Sequence, residues 1–323
     1  MIRPQDYLAF VGEEYLADFV RAGGAAVKFA VLLEGASAEE LRAGLRDAAA
    51  AAGYAYARVD AAEVKVHMID RVFHTVARQI DWDGLARFKV ARLLEELRFV
   101  LPEDASEFTL TAIARLNDYD EHELRRDVNR RLQEEVFHDY EMAQEFRIAM
   151  IRLCQAQLDP SPAARAERDD VIAWLTGELR RISVLKQALI FQKIARHNAR
   201  HMLFSLARWL TRTGRSGLVL DLDIRRCTEA RRPAPEEGLY YSRPAVMDAY
   251  EVLRQLIDAT DELSACFTLV TCAPEFLSDP SRGLDAYHAL KLRIWDEVHD
   301  RRRANPLSAL LRMSPTAPPW TAA

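Results

Sequence analysis

Four short apolar runs punctuate a chain whose other hydrophobic residues mostly recur at helical spacing. They are Ala26–Leu33 (AVKFAVLL), Tyr54–Val59 (YAYARV), Gly217–Leu222 (GLVLDL) and Ala265–Thr271 (ACFTLVT). Short apolar runs separated by helical stretches read as strands buried on both faces, the pattern of a parallel sheet covered by helices. A helix near Ala38–Ala52 joins the first run to the second. The clearest amphipathic helix, Arg243–Thr260, joins the third to the fourth, with Val246, Tyr250, Leu253, Leu256 and Ile257 on one stripe. One mostly parallel sheet is therefore expected, with Ala26–Leu33, Gly217–Leu222 and Ala265–Thr271 adjacent at its centre.

Between the second and third runs, from about Lys65 to Arg212, the pattern is helical almost throughout. Helices are predicted near Trp82–Phe99 (stopping before Pro102), Glu121–Leu153 and Arg168–Thr213. Leu158–Ala166 (LDPSPAARA) reads as the plainest linker. The predicted organisation is an α/β core split into 1–64 and 213–313, a large helical insertion over 65–212, and a Pro-rich disordered tail over 314–323. Phe99, Trp174, Leu185 and Phe191 are more large apolar residues than one thin layer of the insertion needs, which predicts an exposed contact surface there.

Composition supports a predominantly helical chain: only 12 of 323 residues are glycine, with 50% hydrophobic and 29% charged residues. A net charge of −5 excludes a global basic field for nucleic acid and leaves local patches only. The basic clusters are Arg125-Arg126 with Arg130-Arg131, Arg225-Arg226 with Arg231-Arg232, and Arg301–Arg303. Acids flank each of them (Glu121, Glu123 and Asp127; Asp221 and Asp223; Asp296 and Asp300), which favours solvated faces of mixed charge. Cys154, Cys227, Cys266 and Cys272 form no CxxC pair, and the last two flank an apolar run as core thiols. With no leader pattern and no run long enough to span a bilayer, the chain reads as cytoplasmic.

The junction after the first run carries the most chemistry. Ala26–Leu33 leads into Glu34-Gly35-Ala36-Ser37-Ala38-Glu39-Glu40 and then a helix, the strand–loop–helix order of a phosphate-binding loop. Such a loop needs a lysine for the β/γ-phosphates and a Ser/Thr hydroxyl for Mg²⁺. Ala38 and Glu39 stand where that pair is expected; alanine brings no charge and glutamate repels phosphate. The third run carries Asp221 and runs into Asp223, at the strand end where P-loop ATPases hold Mg²⁺. Ile224, which follows, cannot polarise a water. Thr271 is a candidate γ-phosphate sensor at the end of the fourth run, and Arg293 a candidate phosphate or partner contact. Each position also has a plain structural explanation as a turn, strand end or solvated face. His197 and His201 have an i,i+4 spacing that can bind zinc, but Asn198 occupies the place of a metalloprotease glutamate, so two solvated or capped histidines are favoured.

Several segments together resemble one family: Phe10–Val31, Ile194–Leu210, Gly217–Asp223, Arg243–Leu263 and Phe267–Ile294, the last two with a distinctive LRQLIDATD helix and PEFLSDPSRG loop. The chain is similar to the ATP-binding BrxD family of bacterial BREX phage-exclusion systems, which are P-loop ATPases of the broad AAA/STAND type. The resemblance implies an α/β P-loop NTPase-like core and a role in antiviral defence. It also makes the departures informative. Gly35 keeps a glycine, Ala38 and Glu39 replace the lysine and threonine, and Asp223 is kept while Ile224 takes the glutamate position. A degenerate, non-hydrolysing member is expected, whose remnant nucleotide site is Gly35, Ser37, Ala38, Glu39, Asp223, Ile224, Thr271 and Arg293. No catalytic residue, metal or resident cofactor is expected, with ATP the disfavoured alternative. The relatives imply other defence-system proteins as partners, an intact ATPase paralogue among the candidates, and an oligomer as a further candidate. The chain stops soon after Ile294, so much of a full-length relative's C-terminal region is expected to be missing. Two alternatives stay open: an ATPase completed by a partner subunit, and an adaptor that contacts DNA through local basic clusters.

Overall fold

In the computed structural model, residues 1–295 and 305–318 are described. The chain divides into two compact units, Met1–Val76 with Arg215–Ala323, and Ala77–Gly214. Residues 65–76 thus belong with the sheet-bearing unit rather than with the helices that follow.

The first unit is built on five parallel strands: β1 (Ala25–Leu32), β2 (Ala55–Asp60), β3 (Leu218–Asp223), β4 (Cys266–Cys272) and β5 (Leu310–Met313). Their order is β2-β3-β4-β1-β5, so the three strands expected at the centre are adjacent there. The parallel sheet is the one the apolar runs predict, and it is consistent with the α/β P-loop NTPase-like fold that the resemblance implies. Every residue of β3 and β4 is buried, which is why neither strand alternates. One face is covered by Tyr7, Val11, Leu16 and Val20 of the N-terminal helical segment and by Leu41, Leu45 and Ala49 of helix Ala38–Ala51. On the other side Phe29 of β1 stacks on Phe276, their centroids 6.0 Å apart, and Tyr250 of helix Arg243–Asp258 meets Phe276 edge-on. All four cysteines are buried and free.

The fifth strand was not expected. Leu310–Met313 is only four residues long and its own pattern is weak. It is a strand because β1 offers it a parallel ladder, from Phe29↔Leu310 to Leu32↔Met313. Residues 314–318 of the expected disordered tail form a turn. Ser314 N–H donates to Ile2 O at 3.1 Å, and Ala317 is buried. Residues 319–323 lie outside the described residues, as do Asp296, Asp300 and the Arg301–Arg303 cluster.

Lys28 helps to seat β5. It lies on β1, 6% exposed, and its Nζ donates to Leu307 O at 2.5 Å and Ser308 O at 3.3 Å. Burial lowers its ammonium from 10.5 to about 8. Between those values the unfolded chain holds a proton that the native chain has lost, so this group makes stability rise with pH above about 8. Buried thiols act in the opposite sense near pH 9, since burial pushes Cys266 up to about 12. The difference between wild type and Lys28→Met isolates the lysine. Urea midpoints from pH 7 to 9.5 are expected to favour the variant most at pH 7 and less as pH rises; a constant difference would contradict the lowered value.

The second unit is helical: Trp82–Glu96, Leu110–Leu116, Glu121–Leu132, Gln144–Leu158, Pro162–Thr176 and Ala199–Arg212 are its α-helices. Four expectations change. The single helix predicted over Arg168–Thr213 is two helices and an irregular stretch, because Gly177 takes a left-handed conformation (φ +78°) and caps the first. The helix predicted over Glu121–Leu153 is likewise interrupted between Leu132 and Gln144. Leu158–Ala166 is no linker beyond Ser161: that serine caps the next helix, accepting from Ala164 N–H at 3.2 Å, and Pro162 occupies the first turn, where its missing N–H costs nothing. Trp174 and Leu185, expected on a contact surface, are core residues at 2% and 0% exposure, whereas Phe191 is 59% exposed.

A phosphate-loop position closed by its own side chains

In an all-parallel sheet the strands' carboxyl ends share one edge, where ligands of such folds bind. Here Asp60, Asp223, Thr271 and Ala30 stand in register across β2, β3, β4 and β1. Thr271 is on the strand between β1 and β3. It is buried, and its carbonyl accepts Ile224 N–H at 2.9 Å.

The loop after β1 is short. Ala36 N–H folds back to Leu33 O at 3.0 Å, and Gly35 turns with φ +81°, a conformation glycine adopts without strain. A Cβ on Gly35 would lie 3.4 Å from Cγ of Pro315, so the turn after β5 packs directly beside this loop. Ser37 spends its hydroxyl on capping helix Ala38–Ala51, accepting from Glu40 N–H at 3.2 Å. Ala38 opens that helix, and Glu39 and Glu40 fill its first turn. The positive helix end that would hold a phosphate therefore already has two carboxylates of its own.

Arg42 comes next on the same helix and is the residue that sequence reasoning missed. Its Nη1 is 2.5 Å from Glu39 Oε2, its Nη2 is 3.5 Å from Asp223 Oδ2, and its Nε is 3.7 Å from Asp221 Oδ2. Its guanidinium thus faces both β3 aspartates. Arg225 adds Nη2–Asp223 Oδ2 at 2.7 Å, and Tyr56 OH donates to Asp221 Oδ2 at 2.7 Å. Burial raises the Asp221 carboxyl above its ordinary value, and the Tyr56 hydrogen bond and Arg42 oppose that rise. Arg58 pairs with Asp60 at the end of β2. The aspartates at this edge are thus answered by Arg42, Arg58 and Arg225. A signal for Arg42 existed: it lies three residues after Glu39, next to Leu41 and Leu45, which face the core.

Ile224 is 2% exposed, an apolar core residue just beyond β3. Arg293 is not brought to this edge. Helix Arg243–Asp258 runs from the carboxyl edge of β3 back toward the start of β4, and Arg293 holds its last residue, with Nε 2.6 Å from Asp258 Oδ1. Gly35, Ser37, Ala38, Glu39, Asp223, Ile224 and Thr271 therefore share one end of the sheet, and Arg293 sits at the other.

A scan against family models matches residues 17–318 to BREX system ATP-binding protein BrxC/D. The chain belongs to the BrxC/D family. No curated protein and no solved structure matches it. The PEFLSDPSRG loop of this BrxC/D chain is a clamp. Asp279 Oδ1 accepts the N–H groups of Ser281 and Arg282, and buried Arg282 donates to Cys227 O at 3.2 Å and Tyr241 O at 2.9 Å. It ties the segment after β3 to the segment after β4, which positions the edge of the site.

The other candidates do not assemble. His201 makes its contact to Glu141 O at 3.3 Å, His197 is exposed, and the described residues contain no group of three or more His, Cys, Asp or Glu that could hold a metal. The Arg125–Arg131 cluster is neutralised by Glu121, Glu123, Asp127 and Glu135. Arg226 pairs with Glu229, and Arg232 lies over the Tyr240 ring. Among the described residues no helix is long and apolar enough to cross a membrane.

Proposed function

We propose that this BrxC/D-family protein is a non-hydrolysing P-loop ATPase relative that acts as a scaffold or regulatory subunit of a bacterial antiphage defence system. The observation that carries this reading is the Arg42 guanidinium among Glu39, Asp221 and Asp223. An active site of this class presents an empty carboxylate to Mg²⁺ and a free lysine to phosphate. This one presents carboxylates to the phosphate and an arginine to the metal-binding aspartates. Ile224, buried in the core, removes the base as well. A fold of this kind retains its surfaces when its chemistry is gone, so its remaining function is contact with other proteins of the system, an intact ATPase paralogue among them.

Isothermal titration of the full chain with ATP·Mg²⁺ and a non-hydrolysable analogue tests this. Loss of the charge-assisted lysine contact costs about 1.5–3 kcal/mol. Repulsion from Glu39 adds to it, so no binding in the micromolar range is expected. Micromolar binding, alone or when an ATPase partner is added, would replace this reading with a nucleotide-driven subunit.

A further inference from the structure

The stretch 178–200, irregular for the most part and running into the helix that opens at Ala199, breaks the charge pattern of the rest of its unit. It carries Arg180, Arg181, Lys186, Lys193, Arg196 and Arg200 against one acid, Glu178, in a chain whose net charge is −5. Elsewhere in the same unit arginines are answered by acids: Arg130 by Asp127 at 2.7 Å, Arg131 by Glu135 at 2.7 Å and Arg208 by Asp139 at 2.7 Å. Arg180, Arg181, Lys186 and Arg196 are exposed, and among the described residues their side chains have neither an ion pair nor a hydrogen bond.

The stretch is held in place. Leu185, Ala188, Ile190 and Ile194 are buried, so the backbone is pinned at short intervals. Trp174 Nε1 donates to Gln192 O at 2.8 Å, and Lys193 Nζ donates to Arg180 O at 3.1 Å. Between the pins, Leu189 takes φ +65°, a left-handed conformation that is costly for a leucine, and its side chain stands 54% exposed. Phe191 stands 59% exposed beside it. A fixed, arginine-rich edge with an outward aromatic ring is suited to a strand of phosphates carrying unpaired bases. Arginine holds phosphate by two hydrogen bonds, and any base can stack on phenylalanine.

We infer that the 178–200 edge binds single-stranded nucleic acid, with Arg180, Arg181 and Arg196 contacting the backbone and Phe191 stacking on a base. A duplex would need only the cations and would leave Phe191 unused. The exposed apolar residues of this stretch, Val184, Leu189 and Phe191, are too few to anchor it in a lipid headgroup layer.

The test is fluorescence anisotropy of a labelled oligothymidine strand with the full-length protein, from low to moderate salt. The variant Arg180→Gln/Arg181→Gln/Arg196→Gln is expected to bind about tenfold or more weakly, with the slope of log K against log salt reduced by about two to three. Phe191→Ala is expected to weaken binding without changing that slope. Replacement of the three arginines by lysine restores most of the salt-dependent part. Arg126→Gln/Arg130→Gln, on the neutralised helix, leaves affinity unchanged. All these sites are exposed, so melting temperature confirms that each variant folds. The inference is overturned if wild type does not bind the strand at low salt, if the triple variant binds like wild type, if a duplex is bound more tightly than the strand, or if phosphatidylserine vesicles capture the protein while the strand does not.

Discussion

Ile224→Glu, the substitution that restores a glutamate after the β3 aspartate, is expected to damage the protein rather than revive it. The side chain at this position is 2% exposed, in the core where the β3 and β4 backbones are linked through Thr271 O. The neighbouring arginines, Arg225 and Arg42, are already engaged with Asp223, so a carboxylate there competes for a cation that is in use. An uncompensated buried charge costs about 3–5 kcal/mol. The urea midpoint should fall accordingly, with Ile224→Val as the packing control at about 0.5–1.5 kcal/mol. The loss should shrink toward pH 5, as the buried carboxyl takes up a proton that the unfolded chain does not hold. A variant of wild-type stability that gained ATP hydrolysis would show that position 224 can open to the site, and the pseudo-ATPase reading would go with it.

Arg42→Ala is expected to have the next largest effect. It removes the guanidinium that faces both Asp221 and Asp223, each 3% exposed, and leaves Asp223 with Arg225 and Asp221 with the Tyr56 hydroxyl. Stripping a partner from buried charged acceptors costs about 1–3 kcal/mol. The sign of the pH dependence follows from Asp221, whose carboxyl burial already raises and whose rise Arg42 opposes. Without Arg42 it rises further, the native state binds the proton more tightly than the unfolded chain, and the deficit against wild type is smaller at pH 5 than at pH 7.5. With Arg42 gone, Arg225 is left as the arginine on Asp223 and Asp221 keeps only the Tyr56 hydroxyl, so the pair offers hard oxygens to a divalent cation. Millimolar Mg²⁺ or Mn²⁺ should raise the melting temperature of Arg42→Ala and leave wild type unmoved. If the variant keeps wild-type stability, or if the metal shifts both proteins equally, then Arg42 does not stand in for the ion.

The two substitutions address the two halves of the nucleotide machinery separately. Ile224→Glu asks whether the core tolerates the missing base, and Arg42→Ala asks whether the aspartates still have the capacity to hold a metal. Loss of both capacities would leave contact surfaces as this chain's remaining function, as proposed above.

The sequence by itself determined the sheet. Ala26–Leu33, Gly217–Leu222 and Ala265–Thr271 are apolar on both faces, and only a strand covered on both sides buries every residue of such a run. It also identified the loop around Gly35 and the end of β3 as one site, because the carboxyl edge of a parallel sheet collects these ends whatever the helices between them do. It did not determine which cation answers the aspartates. Arg42 looks like any helix-surface arginine until helix Ala38–Ala51 is laid against β3, and only that packing brings it within 3.5 Å of Asp223. Arg293 shows the converse. Its type suited a phosphate contact, but the direction of helix Arg243–Asp258 carries its partner Asp258 to the far edge. The fifth strand exists through its ladder with β1 and its bridge to Ile2, since four residues have too little pattern of their own. Breaks within helical pattern were equally hidden, because periodicity continues through Gly177 while the backbone turns left-handed there. Local sequence fixes which residues must be buried; which charged side chains meet at the sheet edge depends on the angles and directions at which distant elements pack, and those exist only in three dimensions.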